Sequence, residues 1–192
     1  MLSLTTGRVA EIGGGYSRTL PFFHEKGRQC WNIEPFEGIG NGPRVAKLMD
    51  GIESFSIFLG EFSPQLKDDY LEAVYSISVI EHVADNKIPA FFQDMFRITR
   101  KGGQSWHAID VYLGDFKNST TQKRILLVYE SALEAGFTPI TPESVPLTKF
   151  CCSYASNPDH SIRQWNESVP ALKELRSCSQ SVSLLLGMEK RE

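Results

Sequence analysis

The stretch Arg8-Val9-Ala10-Glu11-Ile12-Gly13-Gly14-Gly15-Tyr16-Ser17 constrains the fold more than any other part of the chain. A short β-like run (Val9, Ala10, Ile12) ends in three consecutive glycines. Ser17 to Lys26 then reads as a helix, with Gly27 as its stop. Glycines let the main chain turn with positive φ and let a ligand approach it closely. The first turn of the helix offers unpaired N–H groups to that ligand. A strand, a glycine turn and a helix in this order form the nucleotide-binding corner of an α/β sheet. Gly13, Gly14 and Gly15 are therefore the first candidate binding residues.

The remainder supplies what such a corner needs around it. Gln29-Cys30-Trp31-Asn32-Ile33 reads as a second strand closed by Glu34-Pro35, and Phe36 to Pro43 as a loop. A short helix is expected over Arg44–Gly51, a strand over Ser54–Leu59 and a helical turn over Ser63–Asp69, with Pro64 at its first position. Leu71 to Ile80 is a near-continuous apolar run, broken by Glu72, Ser76 and Ser78 and carrying β-branched residues, as expected of a strand buried on both faces. Lys87 to Arg100 carries Ile88, Phe91, Phe92, Met95, Phe96 and Ile98 close to helical spacing, and Lys101-Gly102-Gly103 ends it. Ser105–Val111 is another strand, and Thr121–Ala135 a helix stopped by Gly136. Phe137–Thr141 and Lys149–Ala155 read as two strands in succession, which predicts an antiparallel edge pair. Strands alternating with helices predict an α/β, doubly wound, mostly parallel sheet covered on both faces. Ser168 is placed to cap a last helix with Pro170 in its first turn.

Composition excludes several classes. At 192 residues the chain fits one domain with a sizeable core, and 41% apolar with 22% charged residues is ordinary for a globular protein. A net charge of -3 carries no footprint for nucleic acid. Cys30, Cys151, Cys152 and Cys178 show neither zinc spacing nor a disulfide framework, so reduced thiols, a cytoplasmic location and no metal site are expected. No leader pattern opens the sequence, and no apolar run approaches the roughly 20 residues of a membrane helix.

The ligand is narrowed by two acids and one absence. A hydride-transfer dinucleotide site wants G-x-G-x-x-G; Gly13 and Gly15 fit, but Arg18 stands at the third position, where close helix–strand packing wants no side chain. Glu34 ends the second strand 23 residues after Glu11. An acid about 20 residues past the glycine turn can take hydrogen bonds from both ribose hydroxyls, because a carboxylate only accepts. Four segments then occur in order: Val9-Ala10-Glu11-Ile12-Gly13-Gly14-Gly15, Asn32-Ile33-Glu34-Pro35, Val74-Tyr75-Ser76-Ile77-Ser78-Val79-Ile80-Glu81-His82-Val83, and Phe96-Arg97-Ile98-Thr99-Arg100-Lys101-Gly102-Gly103. Together they resemble the class I S-adenosylmethionine-dependent methyltransferases, in the branch that acts on small molecules. The likeness spans about Arg8 to Ala155.

The resemblance implies a seven-stranded, Rossmann-like methyltransferase sheet over residues 1–155; the tail, 156–192, lies beyond it and is expected to carry the one helix capped by Ser168, packed on the domain or partly flexible. It implies S-adenosylmethionine as cofactor. Gly13, Gly14 and Gly15 would face its methionine end, with Glu11 orienting that loop or reaching the methionine ammonium through water. Glu34 would hold the ribose, Glu61 and Phe62 would stand near the adenine, and Ser78 and Val79 would lie beneath the cofactor. His82 is the first candidate for a catalytic base, since imidazole titrates near neutrality, and Asp110 the second. The expected reaction is in-line methyl transfer to a small-molecule acceptor, with a homodimer as the assembly that would cover the site. Three departures stand out: little sequence precedes the first strand, Ser17 replaces a frequent glycine, and Glu61 replaces a commoner Asp. Two alternatives are a methyltransferase-like domain that only binds, favoured by the short front, and a nucleotide-dependent oxidoreductase, opposed by Arg18 and by the Glu-His-Val phrase.

Overall fold

The computed structural model describes residues 7–38, 42–46, 49–114, 120–140 and 179–191. Its elements are β1 (Arg8–Ile12), α1 (Thr19–Glu25), β2 (Gln29–Ile33), β3 (Ile52–Phe55), β4 (Leu71–Ile77), α2 (Ile88–Ile98), β5 (Thr99–Gly114), α3 (Thr120–Glu134), β6 (Phe137–Pro139) and β7 (Ser179–Lys190). Among the described residues they build one seven-stranded sheet in the order β3-β2-β1-β4-β5-β7-β6. Strands β1 to β5 pair in parallel, and β7 runs antiparallel between β5 and β6. The chain winds outward from β1 to β3, then returns to place β4 on the other side of β1. That reversal opens a crevice at the carboxyl ends of β1 and β4, the usual ligand position in open α/β sheets. The doubly wound fold with an antiparallel edge pair is the one expected.

Periodicity explains the packing. On α2, Ile88, Phe91, Phe92, Met95 and Ile98 recur at helical spacing and are all buried. They meet Ala10, Ile12, Ile33 and Val74 of the parallel strands and Val128 and Ala132 of α3 on one sheet face. The other face is thinner: Leu20 of α1 packs on Cys30 and Ile52, with Phe23 and Tyr75 beside them. No helix of the described residues is long and apolar enough to cross a membrane.

Several boundaries differ from the expectation. No helix forms from the described residues of 44–51; Arg44 and Val45 bend, and Met49 bridges Ile52 through a turn at Gly51, whose φ is 71°. The predicted strand over Ser54–Leu59 is shifted to Ile52–Phe55. Its partner β2 runs into Pro35, which has no N–H to continue the ladder, and Glu34 N–H closes it on Phe55 O at 3.0 Å. Ser63–Asp69 forms turns rather than a helical turn. Strand β4 stops at Ile77 because Ser78 adopts a φ of 52°. Helix α2 ends at Ile98, before the glycines: Thr99 Oγ1 donates to Met95 O at 2.7 Å and its backbone turns extended. The Lys101-Gly102-Gly103 segment instead forms an irregularity inside the 16-residue β5, whose pairing with β4 jumps from Leu71↔Thr99 to Ala73↔Gln104.

The second strand of the antiparallel pair is the largest difference. Lys149–Ala155 and the helix expected near Ser168 lie outside the described residues. Residues 179–190, expected within a tail, form β7, which pairs with β5 from Gln104↔Glu189 to Gly114↔Ser179. Met188 of this strand has no exposed surface.

Candidate functional site

The glycine turn sits at the reversal of the sheet. Gly13 and Gly15 have φ of 66° and 51°, and a Cβ on Gly13 would lie 2.5 Å from Val79 Cγ2. The turn after β1 thus presses on the turn after β4 so closely that no side chain fits. Strand β2 holds the turn from its own end. Gly13 N–H donates to Ile33 O at 2.8 Å, Gly15 N–H to Glu34 Oε2 at 3.1 Å, and Asn32 Nδ2 to Gly15 O at 3.3 Å. The other Glu34 oxygen accepts from Phe36 N–H at 3.1 Å. Each carboxylate oxygen of this buried acid therefore keeps acceptor capacity for one more donor. Asn32 Oδ1 is buried without a partner and would lie 2.6 Å from a Cβ on Gly14, which excludes a side chain there as well.

Glu11 lies beneath this turn. Its Oε2 accepts from Tyr75 OH at 2.8 Å and from the Ser17 hydroxyl. Burial pushes the Glu11 carboxyl upward in pKa, against the pull of these two hydrogen bonds; burial and then the Glu11 charge push Tyr75 upward too. Ser17 Oγ also accepts from Thr19 N–H at 3.1 Å and Leu20 N–H at 3.0 Å. Two of the N–H groups expected to be free for a ligand at the start of α1 are thus capped from within, which is what a serine does here and a glycine cannot.

Just past the carboxyl end of β4, Ser78 Oγ donates to Oδ2 of Asp110, which lies within β5 four residues before its end and not at its end as expected, and Ser183 Oγ donates to Asp110 Oδ1, both at 3.0 Å. Two predicted residues, Ser78 and Asp110, are thereby brought together, joined by a serine of β7. His82 lies on a short turn of 3-10 helix, Ile80–His82, and is exposed; among the described residues its ring makes no hydrogen bond. Arg124 of α3 clamps this turn by donating to Ile80 O at 2.9 Å and to Val83 O, and it pairs with Asp85.

Glu81 was not singled out from sequence, although it adjoins His82. Burial, assisted by the negative charge of Asp110 and opposed by Arg124, raises its carboxyl to about 7, and its Oε2 is buried without a partner. Glu61 and Phe62 follow β3 and are both exposed; Phe62 N–H donates at 3.0 Å to Asp94, a residue of α2 also missed. Its signal was present: Asp94 stands three residues after Phe91 and four before Ile98, hence on the buried stripe. Among the described residues, no three His, Cys, Asp or Glu side chains are placed to share a metal ion.

The family model described as "Methyltransferase domain" matches residues 10–106, just over half of the 192. No protein of curated function matches the chain in sequence. Solved structures share its fold at low identity. One is phosphoethanolamine N-methyltransferase 2 from Haemonchus contortus, in complex with phosphomonomethylethanolamine and S-adenosylhomocysteine (14% identity, TM-score 0.61, 97% of this chain and 49% of that one). Another is geranyl diphosphate C-methyltransferase from Streptomyces coelicolor A3(2), with Mg2+, geranyl diphosphate and S-adenosyl-L-homocysteine (11%, 0.59, 96% and 72%). A third is an S-adenosylmethionine dependent methyltransferase from Mesorhizobium loti (16%, 0.58, 98% and 93%). The chain spans about half the length of the first of these. With the glycine turn, the strand-end acid and the seven-stranded order inside or around the matched segment, the chain belongs to the methyltransferase domain family.

Proposed function

We propose that the chain binds S-adenosylmethionine at the carboxyl ends of β1, β2 and β4 and catalyses methyl transfer to a small-molecule acceptor. The observation that carries this reading is Glu34. It is a buried strand-end carboxylate that already braces Gly15 and Phe36 and keeps one acceptor position on each oxygen, the donor–acceptor match for a ribose diol. S-adenosylhomocysteine in two of the structures of like fold supports it.

When bound, S-adenosylmethionine would supply a methyl group already activated by its sulfonium. The chain's own contribution is position, and alignment of reacting groups can lower a barrier by roughly 7–11 kcal/mol at best. Glu11, through Ser17, keeps the turn of Gly13, Gly14 and Gly15 in shape. Glu34 takes the ribose, Glu61 and Phe62 stand on the adenine side, and Ser78 and Val79 form the floor. Asp110 and His82 face the acceptor side as candidates to take its proton, where the acceptor has one to lose. A homodimer is the assembly that would shield Ile77 and Leu185, 51% and 56% exposed on β4 and β7.

Calorimetric titration with S-adenosylmethionine, S-adenosylhomocysteine and NAD tests the reading. Both sulfur ligands are expected to bind, and Glu34→Ala to weaken them at least tenfold, about 1.4 kcal/mol. Binding of NAD alone would move the assignment to an oxidoreductase; binding of none would overturn it.

A further inference from the structure

Helix α2 has a polar pair on its buried side. Asp94 has no exposed surface, yet every hydrogen bond it accepts is accounted for. Its Oδ2 takes Gly60 N–H at 2.8 Å and Phe62 N–H at 3.0 Å. Its Oδ1 takes Arg97 Nε at 2.9 Å and lies 2.7 Å from Arg97 Nη2. Arg97 reaches onward, donating to Leu66 O at 2.6 Å and Ser63 O at 3.2 Å and pairing with Asp68. One ion pair on one helix therefore fixes the loop after β3 at Gly60, Phe62, Ser63, Leu66 and Asp68.

Stability alone does not call for this arrangement. A buried ion pair is often matched or bettered by apolar residues of the same volume, so what this one adds is geometry. The geometry is unusual at two positions of this loop, Phe62 and Asp69, the latter with a φ of 50° and its N–H on Arg97 O at 2.8 Å. Phe62 has a φ of 54°, a left-handed conformation that a residue with a Cβ rarely adopts unless its surroundings impose it. Its N–H is held there by Asp94, and the residue is 46% exposed instead of joining the phenylalanines of α2 in the core. Gly60 is pressed onto the same helix: a Cβ there would lie 3.1 Å from Phe91 N. The loop is thus clamped from below while a large aromatic residue is left exposed, a costly arrangement for a side chain that stacks on no ring among the described residues.

We infer that Asp94, locked by Arg97, is a positioning residue for the nucleoside end of the cofactor site, holding Phe62 out as a preformed stacking platform for a planar base. The inference rests on the methyltransferase reading above. Asp94 touches no ligand itself; it acts through the backbone of Gly60 and Phe62. An amide in its place could not accept on both sides at once, since its nitrogen would confront either Arg97 or the two N–H groups.

A double-mutant cycle read by calorimetry with S-adenosylhomocysteine separates positioning from general support. Phe62→Ala and Asp94→Asn are each expected to weaken binding roughly tenfold, the range of one base–aromatic stack. The double variant should bind no more than about twofold worse than Phe62→Ala, because Asp94 has nothing left to position. Additive losses, or single variants that bind as the wild type does, would overturn the inference and leave the cofactor reading standing. A wild type that does not bind would overturn both. Should Asp94→Asn fail to fold, amide exchange in the ligand-free wild type decides instead. Protected Gly60 and Phe62 amides are expected, and exchange at the rate of an open loop would refute a preformed platform.

Discussion

Ser17 shows how one side chain can carry two tasks at the residue scale. Its hydroxyl donates to Glu11, and its oxygen accepts the N–H groups of Thr19 and Leu20. The same atom therefore caps α1 and ties the helix start to the acid beneath the glycine turn. Ser17→Ala is expected to cost about 1 kcal/mol of stability, the usual loss for a cap, in urea unfolding of the ligand-free protein. It should also weaken S-adenosylhomocysteine binding, because Glu11 loses one of its two donors and the turn above it loosens. Much of this corner was legible in the sequence. Gly13 and Gly15 form the turn and Glu34 follows β2, positions readable from sequence because glycine and a strand-end acid answer local needs. Asn32 and Tyr75 are not readable in the same way, because nothing local tells which side chains of β2 and β4 point toward that turn.

Among the elements, β7 changes the picture most. Periodicity along 137–155 predicted an edge pair, and such a pair exists, but residues 179–190 supply its second strand. Ser179, Ser181 and Ser183 alternate with Gln180, Val182 and Leu184, a period of two that a strand carries, so the local signal was present. Its partner was not visible, because β7 lies between strands that end 65 or more residues earlier at Gly114 and 40 earlier at Pro139. Met188→Ala tests how integral this strand is. A buried methionine in the sheet should cost about 3 kcal/mol in chemical denaturation, whereas a loosely attached tail would lose less than about 0.5 kcal/mol. Lys190 adds a second tie, its Nζ donating to Asp69 at 2.7 Å and to Phe96 O at 2.8 Å at the end of α2.

For the whole molecule, one buried and one half-buried group set opposed responses to pH. His107 is packed, as its place within a strand suggested, and both nitrogens are satisfied. The Ser105 hydroxyl donates to Met95 Sδ, so it accepts from His107 Nε2–H, while Nδ1 accepts from Ser76 at 2.7 Å. Burial lowers this imidazole to about 3. Between there and an unfolded value of about 6.5 the unfolded chain takes the proton and the folded chain does not, so stability falls as pH falls through that window. Glu81, raised to about 7 by burial, has the opposite sign: below its unfolded value the folded state is not penalised, and stability is lost as pH rises toward 7. Unfolding midpoints measured from pH 4.5 to 8 should therefore rise in Glu81→Gln relative to the wild type at pH 8, with the difference closing near pH 4.5. In His107→Gln the loss of stability on acidification should flatten.

What the sequence determined alone is what local chemistry encodes: a glycine turn after a strand, an acid at the next strand's end, the apolar stripe of α2, and an α/β succession that has few ways to fold. Backbone freedom and the periods of helix and strand are properties of neighbours in the chain. Contacts between distant residues came only with the closed fold: Asp94 with Gly60 and Phe62, Asp110 with Ser183, Arg124 with the turn around Glu81, and β7 between β5 and β6. A periodic pattern says that a face must be buried, but not against what. The partner is chosen by closing the chain around a shared core, where each buried polar group must find a mate or shift its charge.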